Sequence, residues 1–124
     1  LLNHRKRNVQ VGKLGRLRFV PGYYVYVGSG GSNVLKRVKR HMRPTKPLRW
    51  HLDYITSGPR RMRPFDSYVM PRRDECDLAR HLGLNLEVVR GFGSSDCRCT
   101  GHLYHAPDFA VLKRALDPLV GSGR

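Results

Sequence analysis

Gly22-Tyr23-Tyr24-Val25-Tyr26-Val27-Gly28-Ser29-Gly30-Gly31-Ser32-Asn33-Val34-Leu35-Lys36-Arg37-Val38-Lys39-Arg40-His41 is the stretch whose reading decides the fold. The aromatic and β-branched run Tyr23 to Val27 predicts a strand, Gly28 to Ser32 a turn, and Asn33 to Met42 an amphipathic helix. In that helix Leu35, Val38 and Met42 recur at i, i+3 and i+7 and are expected to form the buried stripe. Arg37 and His41, four apart, share another face with Cβ atoms about 6 Å apart. A strand tyrosine, an arginine and a histidine held in this way can grip a phosphate.

Upstream, Leu1-Leu2 reads as the interior of a first strand, His4 to Asn8 as a charged turn, and the segments near Val9–Val11 and Leu17–Phe19 as further strands; Pro21-Gly22 turns the chain. Downstream, Pro44 and Pro47 impose an extended basic loop, and Leu48, Leu52 and Ile55 predict one or two helical turns stopped by Gly58-Pro59. Phe65 to Met70 is strand-like. Pro71 opens a helix to Leu82 that Gly83 closes, Leu86 to Val89 and Leu103 to His105 are strands, and a last helix from Pro107 turns Phe109, Leu112 and Leu116 inward. This order predicts an α+β fold, a small and mainly antiparallel sheet flanked by helices, in one domain over residues 1–120 with a disordered tail at 121–124.

The chain's 124 residues suffice for one core but not two. Its 24 Lys and Arg against 9 Asp and Glu give a formal net charge of +15, which calls for a polyanionic partner. From Lys36 to Arg73 there are twelve Lys or Arg, opposed only by Asp53 and Asp66. The blander readings are an arginine-rich composition of the source organism or a ribosome-associated basic protein. No run approaches a membrane span and no apolar leader opens the chain, so a cytoplasmic, intracellular protein with no membrane partner is expected.

Tyr26-Val27-Gly28-Ser29, followed by Arg37-Val38-Lys39-Arg40-His41, resembles the second half of the signature of the GIY-YIG nucleases. Trp50-His51-Leu52-Asp53-Tyr54, Glu75-Cys76, Gly91 to Cys99 and His102-Leu103 extend the likeness, in order and spacing, to the small Uri-type branch of that superfamily. The resemblance implies a Mg²⁺-dependent endonuclease that cuts DNA phosphodiesters with little sequence preference, as in DNA repair. Tyr26, Arg37, His41 and His51 would be catalytic and Glu75 would hold the metal. The family's first tyrosine would fall on the strand that Leu1 and Leu2 belong to, ahead of the residues given, with Tyr24 the nearest substitute.

The residues themselves suit those roles and duller ones. Arg37 can present a planar fork of donors to phosphate oxygens, or be a solvated surface arginine. Tyr26 can orient a water or pack in the sheet; His51 can relay protons or sit half-buried with Asp53 capping or salt-bridging nearby. Glu75 lies on an inward stripe with Leu78, Ala79 and Leu82, where a cation would relieve its burial, or it serves the helix dipole. Cys76, Cys97, Cys99 and His102 make a three-cysteine, one-histidine zinc set, with a Cys76–Cys97 disulfide and reduced packing cysteines as alternatives. Lys36, Lys39, Arg40, Arg43, Lys46 and Arg49 are expected to track a nucleic-acid backbone. The rival expectations are a non-catalytic binding module on the same scaffold, for DNA or RNA, and a zinc-stapled component of a larger complex.

Overall fold

A strand with neither proline nor charge and large side chains on both sides is stable only when both its faces are covered. The computed structural model describes residues 1–28, 34–59, 61–68, 75–93 and 99–120. Along the chain run β1 (Leu2–Asn3), β2 (Arg7–Gln10), a 3-10 turn (Gly12–Leu14), β3 (Arg16–Phe19), β4 (Gly22–Tyr26), α1 (Val34–Met42), α2 (His51–Thr56), α3 (Glu75–Gly83), β5 (Glu87–Val88), β6 (Leu103–Ala106) and α4 (Phe109–Val120). The main sheet has the order β1-β4-β6-β5, every neighbouring pair antiparallel, and β2 with β3 forms a separate hairpin. The fold is α+β with a mainly antiparallel sheet, as the sequence predicts.

The period of two in β4 divides the interior. Tyr24 and Tyr26 pack with Phe19, Leu52, Ile55, Met62, Phe92 and Leu103 on the side of α2 and the hairpin. Tyr23, Val25 and Val27 pack with Ala79, Leu82, Tyr104, Leu112 and Ala115 on the side of α3 and α4. β4 is therefore a central strand between two apolar layers, and its C-terminal end, Tyr26, emerges where the helices and loops meet. Tyr24 is held by its hydroxyl, which donates to the Val20 carbonyl at 2.7 Å, and its phenol is pushed up to about 12 chiefly by burial. It is a core residue.

Three expectations fail for identifiable reasons. Phe65 to Tyr68 forms no strand: Leu2 N–H bonds the Arg63 carbonyl, but Pro64 follows and has no N–H with which to continue a ladder. Val69 and Met70 lie outside the described residues. The stripe on α1 is also misread, because Leu35 is 66% exposed and Met42 is exposed, while Arg37, Val38, Arg40 and His41 are half-buried. Phe109 is exposed as well, in a first turn set by Asp108, whose carboxylate accepts the Val111 N–H at 2.9 Å. Its ring packs edge-to-face with Tyr23. Among the described residues no helix is long and apolar enough to cross a membrane. The expected tail, residues 121–124, lies outside the description.

Gly22 opens β4 at φ +136°, and a Cβ there would stand 2.5 Å from His105 Nε2 and 2.7 Å from the Ala106 carbonyl oxygen. Gly22→Ala should therefore lower unfolding stability by about 2 kcal/mol through backbone strain and displacement of β6. Urea titration reads the shift; an unchanged midpoint would contradict the packing of this strand pair.

Candidate functional site

The site begins with Tyr26 at the end of β4, whose ring lies in a cleft made by missing side chains. A Cβ on Gly28 would come within 2.9 Å of the ring, and one on Gly93, at φ +73°, within 3.0 Å of it and 3.2 Å of His102 Cβ. The Tyr26 phenol is pushed up to about 12, first by burial, then by the negative charges of Glu75 and Asp53, against the opposing charge of Arg37. At neutral pH it is a protonated hydrogen-bond donor within electrostatic reach of all three.

The helix α1 brings its polar side to that ring. Arg40 forks onto both oxygens of the fully buried Asp53 carboxylate, at 2.8 and 2.9 Å, and also donates to the Pro47 carbonyl. Asp53 in turn accepts the backbone N–H groups of Arg49 and Trp50, both at 2.9 Å, capping α2 from its third residue. One turn from Arg40, the Arg37 guanidinium lies 4.7 Å over the Trp50 ring. His41 meets the edges of Trp50 and Tyr26, with centroids 5.6 and 6.2 Å away. Its Nδ1 stands 3.9 Å from Asp53. Burial lowers the His41 pKa; Asp53 opposes this and Lys46, Arg40 and Arg37 reinforce it.

His51 and His102 tie the loops beneath. The Gly93 N–H donates to His51 Nδ1 at 2.8 Å, so the neutral ring carries its proton on Nε2. Burial lowers the His51 pKa. His51 and Tyr26 do not touch ring to ring but flank the same Phe92, at 5.5 and 6.3 Å. His102, 1% exposed, has Nδ1 at 3.1 Å from the Val27 carbonyl. A carbonyl only accepts, so Nδ1 is the protonated nitrogen. Glu75, in the first turn of α3 and half-exposed, puts Oε2 3.7 Å from the same nitrogen. Cys76, Cys99 and His102 come together with their ligand atoms within 4.8 Å of one another. Cys97, and with it the Cys76–Cys97 disulfide, lies outside the described residues.

Of the six residues expected to track a backbone, two have structural work. Arg40 is neutralised by Asp53. Lys46 turns back to donate to the carbonyls of His41 and Arg43, at 2.8 and 2.9 Å, satisfying the C-terminus of α1. Lys36, Lys39 and Arg43 are exposed and, with Arg40, Thr45, Lys46 and Pro47, line a groove of about 430 Å³. Arg49 is exposed outside that lining. Sequence reasoning gave no role to Trp50, the platform for Arg37 and His41, and read Gly93 only as part of a loop for a phosphate or a turn, not as the residue that makes room for Tyr26. An aromatic immediately before a helix with an acid at its third position was the available signal for the first; a glycine two residues after Gly91 was a weak one for the second.

An α+β domain with a half-buried tyrosine, two histidines and a carboxylate around a basic helix is the class that fold and site define. A family model described as a domain of unknown function, DUF123, matches residues 1–121, and the chain belongs to that family. No curated protein matches the chain, and no solved structure does.

The two lowered histidines set a pH dependence. The folded state holds His41 and His51 neutral, so their contribution is complete above the ordinary value of 6.5 and is lost as pH falls through the lower folded values. Asp53 behaves separately: burial would raise its pKa, but hydrogen bonds from Arg40, Trp50 and Arg49 outweigh it, and its stabilisation is lost as pH falls below 3.8. Urea unfolding should show stability decreasing below pH 6.5, less steeply in His51→Gln, and again below 3.8. A flat profile between about pH 7 and pH 5 would contradict neutral burial of both rings.

Proposed function

We propose that the chain is a metal-dependent endonuclease of the GIY-YIG superfamily, close to the Uri-type branch, hydrolysing DNA phosphodiesters with little sequence preference. The observation that carries this reading is the polar face of α1 turned inward, which sets Arg37 and His41 beside the protonated Tyr26 with Glu75 on its other electrostatic flank. The ordered sequence motifs, over nearly the whole chain, support the same reading.

Phosphodiester hydrolysis needs an oriented water, stabilisation of charge on the phosphoryl oxygens and a proton for the leaving oxygen. Arg37 supplies a fixed positive charge held 4.7 Å over the Trp50 ring, and its planar fork of donors suits phosphate oxygens. Tyr26 donates a hydrogen bond to the phosphate or to the attacking water. His41, kept neutral by burial, accepts the proton of that water, with Asp53 nearby to favour the imidazolium, and the leaving oxygen takes its proton from solvent. His51, through Gly93, keeps the glycine turn against the Tyr26 ring. Glu75 is a half-buried carboxylate at the edge of this cluster, a hard oxygen donor that fits a Mg²⁺ ion retaining most of its waters. Bound there, the ion would supply Lewis-acid charge for the phosphoryl group.

A second reading, non-catalytic binding of DNA or RNA, is favoured by the basic groove along α1, which needs no chemistry to hold a phosphate backbone. Single-turnover incubation with DNA separates the two. The wild type should cut in the presence of Mg²⁺, and Arg37→Ala should lose about two to three decades of rate while affinity falls only slightly, as expected for a donor acting on transition-state charge. A mutant that cuts at wild-type rate removes Arg37 from catalysis, and intact DNA with the wild type leaves the binding reading.

The groove also distinguishes its cations. Lys39→Ala should flatten the dependence of log K on log salt by about one unit, equally for all sequences. Arg40→Ala should chiefly lower unfolding stability, because its charge already belongs to Asp53. A salt slope unchanged by Lys39→Ala would take DNA off this face.

A further inference from the structure

Three soft or borderline donors converge from two separate parts of the chain. Cys76 is the second residue of α3, Cys99 belongs to the segment before β6, and His102 immediately precedes β6. Their ligand atoms all lie within 4.8 Å of one another. A tetrahedral zinc ion with bonds of about 2.3 Å to sulfur and 2.0 Å to nitrogen holds its ligands about 3.5 to 3.8 Å apart, so closure shortens any pair by about 1.3 Å at most.

The histidine is prepared for such a role. Its Nδ1–H is directed at the Val27 carbonyl at 3.1 Å, which fixes the ring orientation and makes Nε2 the nitrogen that carries the lone pair. A metal-binding imidazole usually has this outer partner, because it fixes the tautomer and raises the basicity of the coordinating nitrogen. The ring is 1% exposed and its backbone N–H and carbonyl pair with Phe92 and Val27, so the donor is presented from a rigid frame.

We propose that Cys76, Cys99 and His102 form a structural site for a thiophilic divalent ion, zinc by ligand chemistry. Two thiolates and an imidazole select zinc over magnesium, whereas the Glu75 carboxylate beside Cys76 is a hard donor of the opposite preference. The two donor sets differ in the ion they prefer, although Glu75 Oε2 lies 3.7 Å from His102 Nδ1, and the thiol site stands whether or not the chain cuts DNA. On binding, Sγ of each cysteine loses its proton to solvent and forms a bond to the ion, with no change in oxidation state. The bond network staples the first turn of α3 to the entry of β6, two elements that also meet through the second apolar layer and the Glu75–His102 approach. It also fixes the backbone of Glu75, the residue next to Cys76.

The test uses the whole chain, reduced and metal-free, titrated with Co²⁺. One equivalent should give intense thiolate-to-cobalt charge-transfer bands and the visible bands of tetrahedral cobalt, and one equivalent of Zn²⁺ should erase them. Native mass spectrometry should find the zinc adduct lighter by two protons than simple addition predicts. Cys76→Ser and Cys99→Ser should each weaken or abolish the charge-transfer bands. Should either variant fail to fold, the wild type still decides the matter, because bound Zn²⁺ should slow the reaction of two thiols with a thiol reagent. Absent thiolate bands, bands unchanged in both variants, thiols equally reactive with and without Zn²⁺, or a Cys76–Cys99 disulfide in place of the metal would each overturn the assignment.

Discussion

The buried carboxylate of Asp53 is the constraint on which the rest depends. A charge with no exposed surface must be met by partners or it costs several kcal/mol. Arg40 meets it with two parallel hydrogen bonds and the N–H groups of Arg49 and Trp50 with two more. The same four bonds start α2, close the basic loop onto it and dock α1. Since Arg40 must face inward, Arg37 and His41, on the adjoining positions of the helix surface, face inward too, and Leu35 and Met42 are left in solvent. An arrangement costly for a helix packing on a core is the one that delivers cations to the end of β4.

Around that end, packing and chemistry share residues. Phe92 belongs to the first apolar layer and also carries the rings of Tyr26 and His51. Gly93 leaves space for the tyrosine and donates to His51. His102 bonds Val27 just beyond β4 while facing the thiols of Cys76 and Cys99. Burial accordingly acts on function through protonation states: Tyr26 stays a donor, and His41 and His51 stay neutral. In the proposed nuclease, that leaves the fixed positive charge to Arg37, as phosphoryl transfer requires of a group that must not lose its proton.

The central strand, the helices and the antiparallel character of the sheet were legible because they rest on local patterns: period two in Tyr23 to Val27, period 3.6 in Leu78, Ala79 and Leu82. The face that α1 turns inward was not legible, because hydrophobic periodicity assigns the apolar side to the core and knows nothing of a buried acid thirteen residues later. Asp53 read as a local cap or a salt-bridge partner, and it is both, but which cation it pairs with was invisible for the same reason. Pro64 could have warned against a strand at Phe65. Arg40 and Lys46 read as surface cations from composition alone, since only the folded chain shows which charges already have partners. The cysteines and His102 were legible as a set by spacing, but their approach required the sheet that brings β6 beside β4 and the helix that packs on it.

A double-mutant cycle between Arg40 and Asp53 tests this keystone most directly. Urea unfolding of the wild type, Arg40→Ala, Asp53→Ala and the double variant can be followed through Trp50, the chain's single tryptophan, which lies against Arg37 and His41. A coupling energy of about 2 kcal/mol is expected for a bidentate pair with one fully buried member. A coupling within about 0.3 kcal/mol of zero would mean that α1 docks by other contacts, and that the inward turn of its polar face does not depend on Asp53.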